Sequence, residues 1–177
     1  MAILRQIAQL GHPVLRQVTG KIDTPEDAAV QALINDLLAT VTDADGVGIA
    51  APQVFESHAL FIIASRPNSR YPHAPEMAPT AMINPEIIRV SEELVSGWEG
   101  CLSIPGIRGL VPRYQQIDVR YMTRSGEVRE EEYTDFLARV FQHEYDHLQG
   151  VVFIDRVKST RDLVTEKEYL RRYAILS

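Results

Sequence analysis

Residues 134–149, TDFLARVFQHEYDHLQ, repeat their apolar positions at the helical period and meet a stop signal at Gly150. On a wheel of about 100° per residue, Phe136, Val140, His143 and His147 share one narrow face. Leu137, Phe141, Tyr145 and Leu148 share a second face, about 100° further round. The second face can anchor in a core while the first looks at something else. A chain with only five histidines has thus placed two of them one helical turn apart, with Glu144 directly after the first.

Imidazoles four residues apart can point at one ion without bending the backbone, since a divalent metal takes nitrogen ligands at about 2.1 Å. Glu144 then stands beside the ion rather than on it, where a general base for an activated water belongs. A random chain of this length matches H-E-x-x-H roughly once in a few hundred cases, so the motif in its helical context reads as a metal site. A catalytic site also needs a third protein ligand and an open position. Downstream, Asp155, Asp162, Glu166 and Glu168 are available, although none lies in a His- or Gly-containing extension of the motif. Upstream, Cys101 stands in GWEGCLSIPG, which reads as an irregular segment flanked by Gly97, Gly100 and Pro105. A thiolate is a strong ligand, but most free cysteines are small buried hydrophobes. Spacing leaves both choices open.

The single cysteine excludes an internal disulfide and suits a reducing compartment. MAILRQIAQL has no long apolar run, so the reading is a cytoplasmic protein with neither signal peptide nor membrane span. The net charge of −6 removes a general basic footprint for DNA. The basic residues Lys158, Arg161, Lys167, Arg171 and Arg172 alternate with acids and read as a solvated helix face.

The 177 residues are one domain's worth, taken as 1–177. A helix is expected over 24–43, capped by Thr24 with Pro25 in its first turn. A Gly-rich turn then leads into GVGIAAPQV. Residues 60–64 read as a buried strand, 66–80 as a loop, and 81–90 as a strand interrupted by a turn at Asn84-Pro85. Residues 117–122 and 128–133 read as a hairpin turning at Ser125-Gly126, and a third helix is expected over 161–173. The fold class is α+β, with antiparallel or mixed strands packed around the central metal-binding helix.

GVGIAAPQ (46–53), EGCLS (99–103) and QHEYDH (142–147) together resemble the three signature segments of the peptide deformylases, in the family's order, and VPRY after the second segment is similar too. The likeness covers nearly the whole chain. It implies a metal-dependent hydrolase removing the formyl group from the N-terminal formyl-methionine of new polypeptides, with the ribosome near its exit tunnel as a further partner. It implies Cys101, His143 and His147 as ligands of one divalent metal, iron(II) first, with zinc, nickel or cobalt able to use the same set. It gives Glu144 the proton transfers, and the Gln53 amide and Leu102 backbone N–H the developing charge on the formyl oxygen. It further implies an extended peptide held at the backbone of Gly48 and Gly100. The methionine side chain would enter an apolar pocket made by Val47, Phe136 and Val140.

Several residues stand outside that scheme. Arg139 borders the ligand face, its stem suited to lining the pocket with its head in water. Arg108 reads as a surface salt bridge, and Asp146 as outer support. The loop 66–80 exceeds what the shortest members need. His12, His58 and His73 read as solvent or loop histidines. Two other functions compete: a zincin-like peptidase with a downstream acid as third ligand, and a non-catalytic, metal-stabilised binder of peptide termini.

Overall fold

In the computed structural model the described residues are 2–173. Helix α1 (Ala28–Asp43) starts later than the sequence suggests. Thr24, Pro25, Glu26 and Asp27 form a turn instead, with the Asp27 N–H bonded to Thr24 O at 3.1 Å, a position where proline pre-sets the backbone. Asp27 is then the cap, accepting from the Ala29 N–H at 2.8 Å.

Strands β1 (Gly48–Ala50), β2 (Leu60–Ile63) and β3 (Thr80–Val90) follow. The expected interruption at Asn84-Pro85 is a bulge within one long strand: the register shifts between Ile83 and Glu86. Asn84 adopts a positive φ of 48° there, and its amide exchanges two hydrogen bonds with the backbone of Ile22. Strands β4 (Leu94–Cys101) and β5 (Ile104–Tyr114) pair over most of their length. They replace the irregular segment read around Cys101. Gly97, Gly100 and Gly109 resemble breakers in sequence but admit the side chains of Arg139, Arg108 and Phe153 at close range. Strands β6 (Gln116–Met122) and β7 (Val128–Thr134) form the expected hairpin.

Helix α2 (Asp135–Leu148) ends in a Schellman arrangement: the Val151 N–H reaches Asp146 O and the Gly150 N–H reaches His147 O, with Gly150 at φ 71°. The expected 161–173 helix is shortened to α3 (Glu166–Arg172), because Leu163–Thr165 form strand β8 on the edge of β5. Thr165 caps α3 through the Glu168 N–H. Glu168 pairs with Arg171 and Arg172 on the solvated face.

The strands make a five-stranded sheet, β1-β2-β3-β6-β7, and a three-stranded sheet, β4-β5-β8, with every pairing between these strands antiparallel. Strand β2 decides the layering by its two-residue period. Leu60 and Ile62 pack with Leu33, Ile34 and Leu37 of α1. Phe61 and Ile63 pack with Phe141 and Leu148 of α2. The two helices therefore cover opposite faces, and α2 keeps its histidine face for the junction with the second sheet. No described helix is long and apolar enough to cross a membrane.

Candidate active site

Cys101 ends β4, just past a register shift between Glu99 and Cys101 that turns the strand toward α2. Its Sγ lies 3.3 Å from His147 Nε2. One ligand atom each from Cys101, His143 and His147 falls within 4.8 Å of the other two, and all three residues are buried. Among the described residues this is the only such group. The downstream acids are elsewhere: Asp155 pairs with Arg16, Glu166 with Arg108, and Glu168 with Arg171 and Arg172, while Asp162 lies in a short 3-10 turn. A peptidase-type third ligand from that segment is thereby excluded.

One soft sulfur and two imidazoles fit a transition metal. His143 Nδ1 bonds Glu99 Oε2 at 2.9 Å, which orients the ring and leaves Nε2 for an ion. Burial opposes charge on both rings. Hydrogen bonds to Cys101 and Glu99 nonetheless raise His143 well above its ordinary value. Burial and the neighbouring His143 hold His147 well below it, in the neutral form that binds metal.

Glu144 lies beside this group. Its Oε2 is buried without a hydrogen-bond partner. Burial pushes its carboxyl up to about 7, with Glu99 adding to the rise and His143 opposing it. Its other side rests on Gly48, where an added Cβ would come within 2.9 Å of Glu144 Cδ. A glycine is required there by the approach of the carboxylate.

Glu99 and Arg113 build the frame around His143 and helix α2, and sequence reasoning missed both. Glu99 accepts from Arg113 Nε at 2.9 Å, Arg113 Nη2 at 3.0 Å and Arg139 Nη1 at 2.9 Å as well as from His143. Burial opposes its ionisation, but Arg113 and the hydrogen bond with His143 hold the carboxyl far below the usual carboxylate range. Arg113 Nη1 also reaches Asp146 Oδ2 at 2.6 Å, and Arg156 closes on the same carboxylate. Asp146 thus supports the ligand helix from behind, as expected. The available signal for Glu99 was its place two residues before Cys101, on the same side of an extended chain.

The polypeptide deformylase family model matches residues 4–162. The chain belongs to the polypeptide deformylase family. It is 61% identical over 166 residues to peptide deformylase 2 of Nostoc sp. (strain PCC 7120 / SAG 25.82 / UTEX 2576), spanning 94% of this chain and 93% of that one. The Met-Ala-Ser-bound crystal structure of a class I type b peptide deformylase from Acinetobacter baumannii superposes with a TM-score of 0.86 at 42% identity, over 89% of this chain and all of the other. The actinonin complex of a peptide deformylase from Synechococcus elongatus gives 0.80 at 33% identity, over 98% of this chain and 90% of that one. As a deformylase the chain is a hydrolase that removes the formyl group from the N-terminal formyl-methionine of newly made polypeptides.

In this deformylase a cavity of about 50 Å³ opens beside Cys101 and His143, several times the roughly 10–15 Å³ one water needs. Val47, Gly48, Gln53, Gly100, Leu102, Phe136 and Val140, all expected at the site, line it together with Cys101, His143 and Glu144. Gln53 is 2% exposed. Its Oε1 accepts from the Ala50 N–H at 2.8 Å, which aims Nε2 at Ser103 Oγ (3.2 Å) and Cys101 Sγ (3.5 Å).

Two expectations are corrected here. Arg139 does not send its head to water: the guanidinium donates to Glu99 and to the carbonyls of Val95, Gly97 and Val111. Arg108 is no surface salt bridge. It is 1% exposed, pairs with Glu166 at 2.7 Å, and lies between the rings of Tyr71 and Tyr169. Its partners come from 58 residues downstream and 37 upstream, beyond any local pattern. The loop 66–80, whose role the sequence left open, supplies Arg70 and Tyr71 to the cavity wall. Arg70 fastens to Ala44 O at 2.6 Å, and the Tyr71 hydroxyl accepts from the Gly100 N–H at 3.4 Å. His12 caps a short turn, and His58 and His73 are exposed, away from the site as read.

Proposed function

We propose that Cys101, His143 and His147 hold one divalent cation for deformylation, that Glu144 moves the protons, and that the chain works as one catalytic domain over 1–177. Met1 and residues 174–177 of that span lie outside the described residues. The observation that carries the reading is the convergence of a sulfur and two imidazoles on one buried point, with an unpartnered carboxylate oxygen beside it. A cation held there supplies Lewis acidity and acidifies water. Glu144, raised in pKa by burial, takes a proton from the attacking water and returns it to the amine as the formyl C–N bond breaks and formate leaves. Gln53 Nε2 and the Leu102 backbone N–H stabilise the charge that develops on the formyl oxygen. An amide suits this because it donates without titrating.

The peptide lies extended between Gly48 and Gly100, and the methionine side chain enters the cavity against Val47, Phe136 and Val140. Iron(II) is the proposed physiological ion, with zinc, nickel and cobalt able to use the same donors. The proposed setting is the cytoplasm, where chains leave the ribosome as N-formylmethionyl peptides.

The test is formate release from formyl-Met-Ala-Ser by anaerobically prepared protein, with metal analysis alongside. Glu144→Ala keeps one metal per chain and loses turnover, whereas Cys101→Ser loses the metal. A Glu144→Ala protein that turns over like the parent contradicts the base assignment. A Cys101→Ser protein that keeps its metal contradicts the ligand set.

A further inference from the structure

Two cavities meet at Phe136 and Arg139. The first is the proposed methionine pocket beside the ligands. The second, about 230 Å³, lies on the outer side and is lined by Val95, Ser96, Gly97 and Arg113 among others. Only Phe136 and Arg139 border both. Arg139 follows Ala138 on α2, and its side chain retains 13% of its exposure.

Its guanidinium is fixed from several directions. Nη1 donates to Val111 O at 2.8 Å, Glu99 Oε1 at 2.9 Å and Gly97 O at 3.4 Å, and Nη2 donates to Val95 O at 2.6 Å. Swinging away would leave these acceptors short of a donor, which costs about 1–3 kcal/mol for each one that stays buried. The head fits because residue 97 is glycine: a Cβ there would stand 2.8–2.9 Å from Cζ, Nη2 and Nε of Arg139. Glycine and arginine are therefore sterically matched across β4 and α2. A linear side chain longer than the pocket would meet a guanidinium whose bonds are already committed, and it would desolvate polar groups without pairing them.

We infer that Arg139, seated on Gly97, is the specificity-determining floor of the first-residue pocket and limits the length of side chain it takes by sealing it from the outer cavity. This deepens the proposed reading of the site and rests on it.

The test compares kcat/KM of the metal-loaded enzyme for formyl-Xaa-Ala-Ser, with Xaa as methionine, norvaline and 2-aminooctanoic acid. Arg139→Ala opens the floor and raises the ratio of 2-aminooctanoic acid to methionine by about tenfold or more, since one methylene in such a pocket is worth roughly 10–200-fold. Arg139→Met restores bulk without donors and returns the ratio to near the parent value. Melting temperature and metal content show that each variant is folded and loaded. Should Arg139→Ala fail to fold, Gly97→Ala provides the opposite perturbation: its methyl drives the guanidinium into the pocket and lowers the ratio of methionine to norvaline. Ratios unmoved in the folded variants overturn the inference while leaving the activity intact. No formate from the parent enzyme overturns the activity reading, and this inference with it.

Discussion

Between Gly48 and Glu144 there is no room for a methyl group. Gly48→Ala forces the carboxylate from its seat, and with Glu144 in its proposed role a misplacement of about 1 Å costs on the order of 10²-fold in rate. Steady-state kinetics should show kcat/KM falling by about that factor with metal content unchanged; a variant as active as the parent would show that Glu144 has another seat. Arg113 matters differently. It is buried and neutralises both Glu99 and Asp146. Arg113→Met leaves two buried carboxylates short of a cation, a change worth on the order of 3–5 kcal/mol. Urea unfolding should read that loss, and an unchanged midpoint would contradict the frame described above. The grouping of His143, Glu144 and His147 was legible because it is local, one turn of one helix. Glu99 and Arg113 were not, because their pairing crosses β4 and β5 and becomes visible only in the folded hairpin.

Among the elements, α2 was legible from its two faces and its glycine stop, and its bounds differ from the expected ones by a residue at each end. Strands β4 and β5 were not, since Gly97, Gly100 and Pro105 read as breakers, and the packing that explains Gly97 is an arginine 42 residues away. The segment before α1 illustrates another non-local tie. The Thr19 N–H bonds Leu148 O at the end of α2, and Arg16 pairs with Asp155 just beyond it. Partial burial opposes ionisation of Asp155, but the bonds from Arg16 and the Val152 N–H outweigh it and lower its pKa. A depressed carboxyl contributes stability above its unfolded value of about 3.9 and loses it as pH falls through the folded value. Asp155→Asn should therefore melt lower than the parent at pH 7, by no more than about 1 kcal/mol for so exposed a pair. The gap should close as pH falls below about 4. A gap that persists unchanged in acid would show that the carboxylate's charge is not what holds the segment.

At the scale of the molecule, the site is a junction. Gly48 comes from the five-stranded sheet, Cys101 from the three-stranded sheet, and His143, Glu144 and His147 from the helix between them. The α+β class was legible from strand and helix periods, but the division into two sheets was not, because it depends on pairings such as β3 with β6 that skip two intervening strands. The central claim is that this junction brings one thiolate and two imidazoles onto a single ion. Absorption spectroscopy of the chain titrated with cobalt(II) tests it most directly. The account predicts a thiolate-to-cobalt charge-transfer band that saturates at one equivalent per chain and is missing from Cys101→Ser. A cobalt-loaded protein without that band, or one whose band survives the substitution, would contradict it.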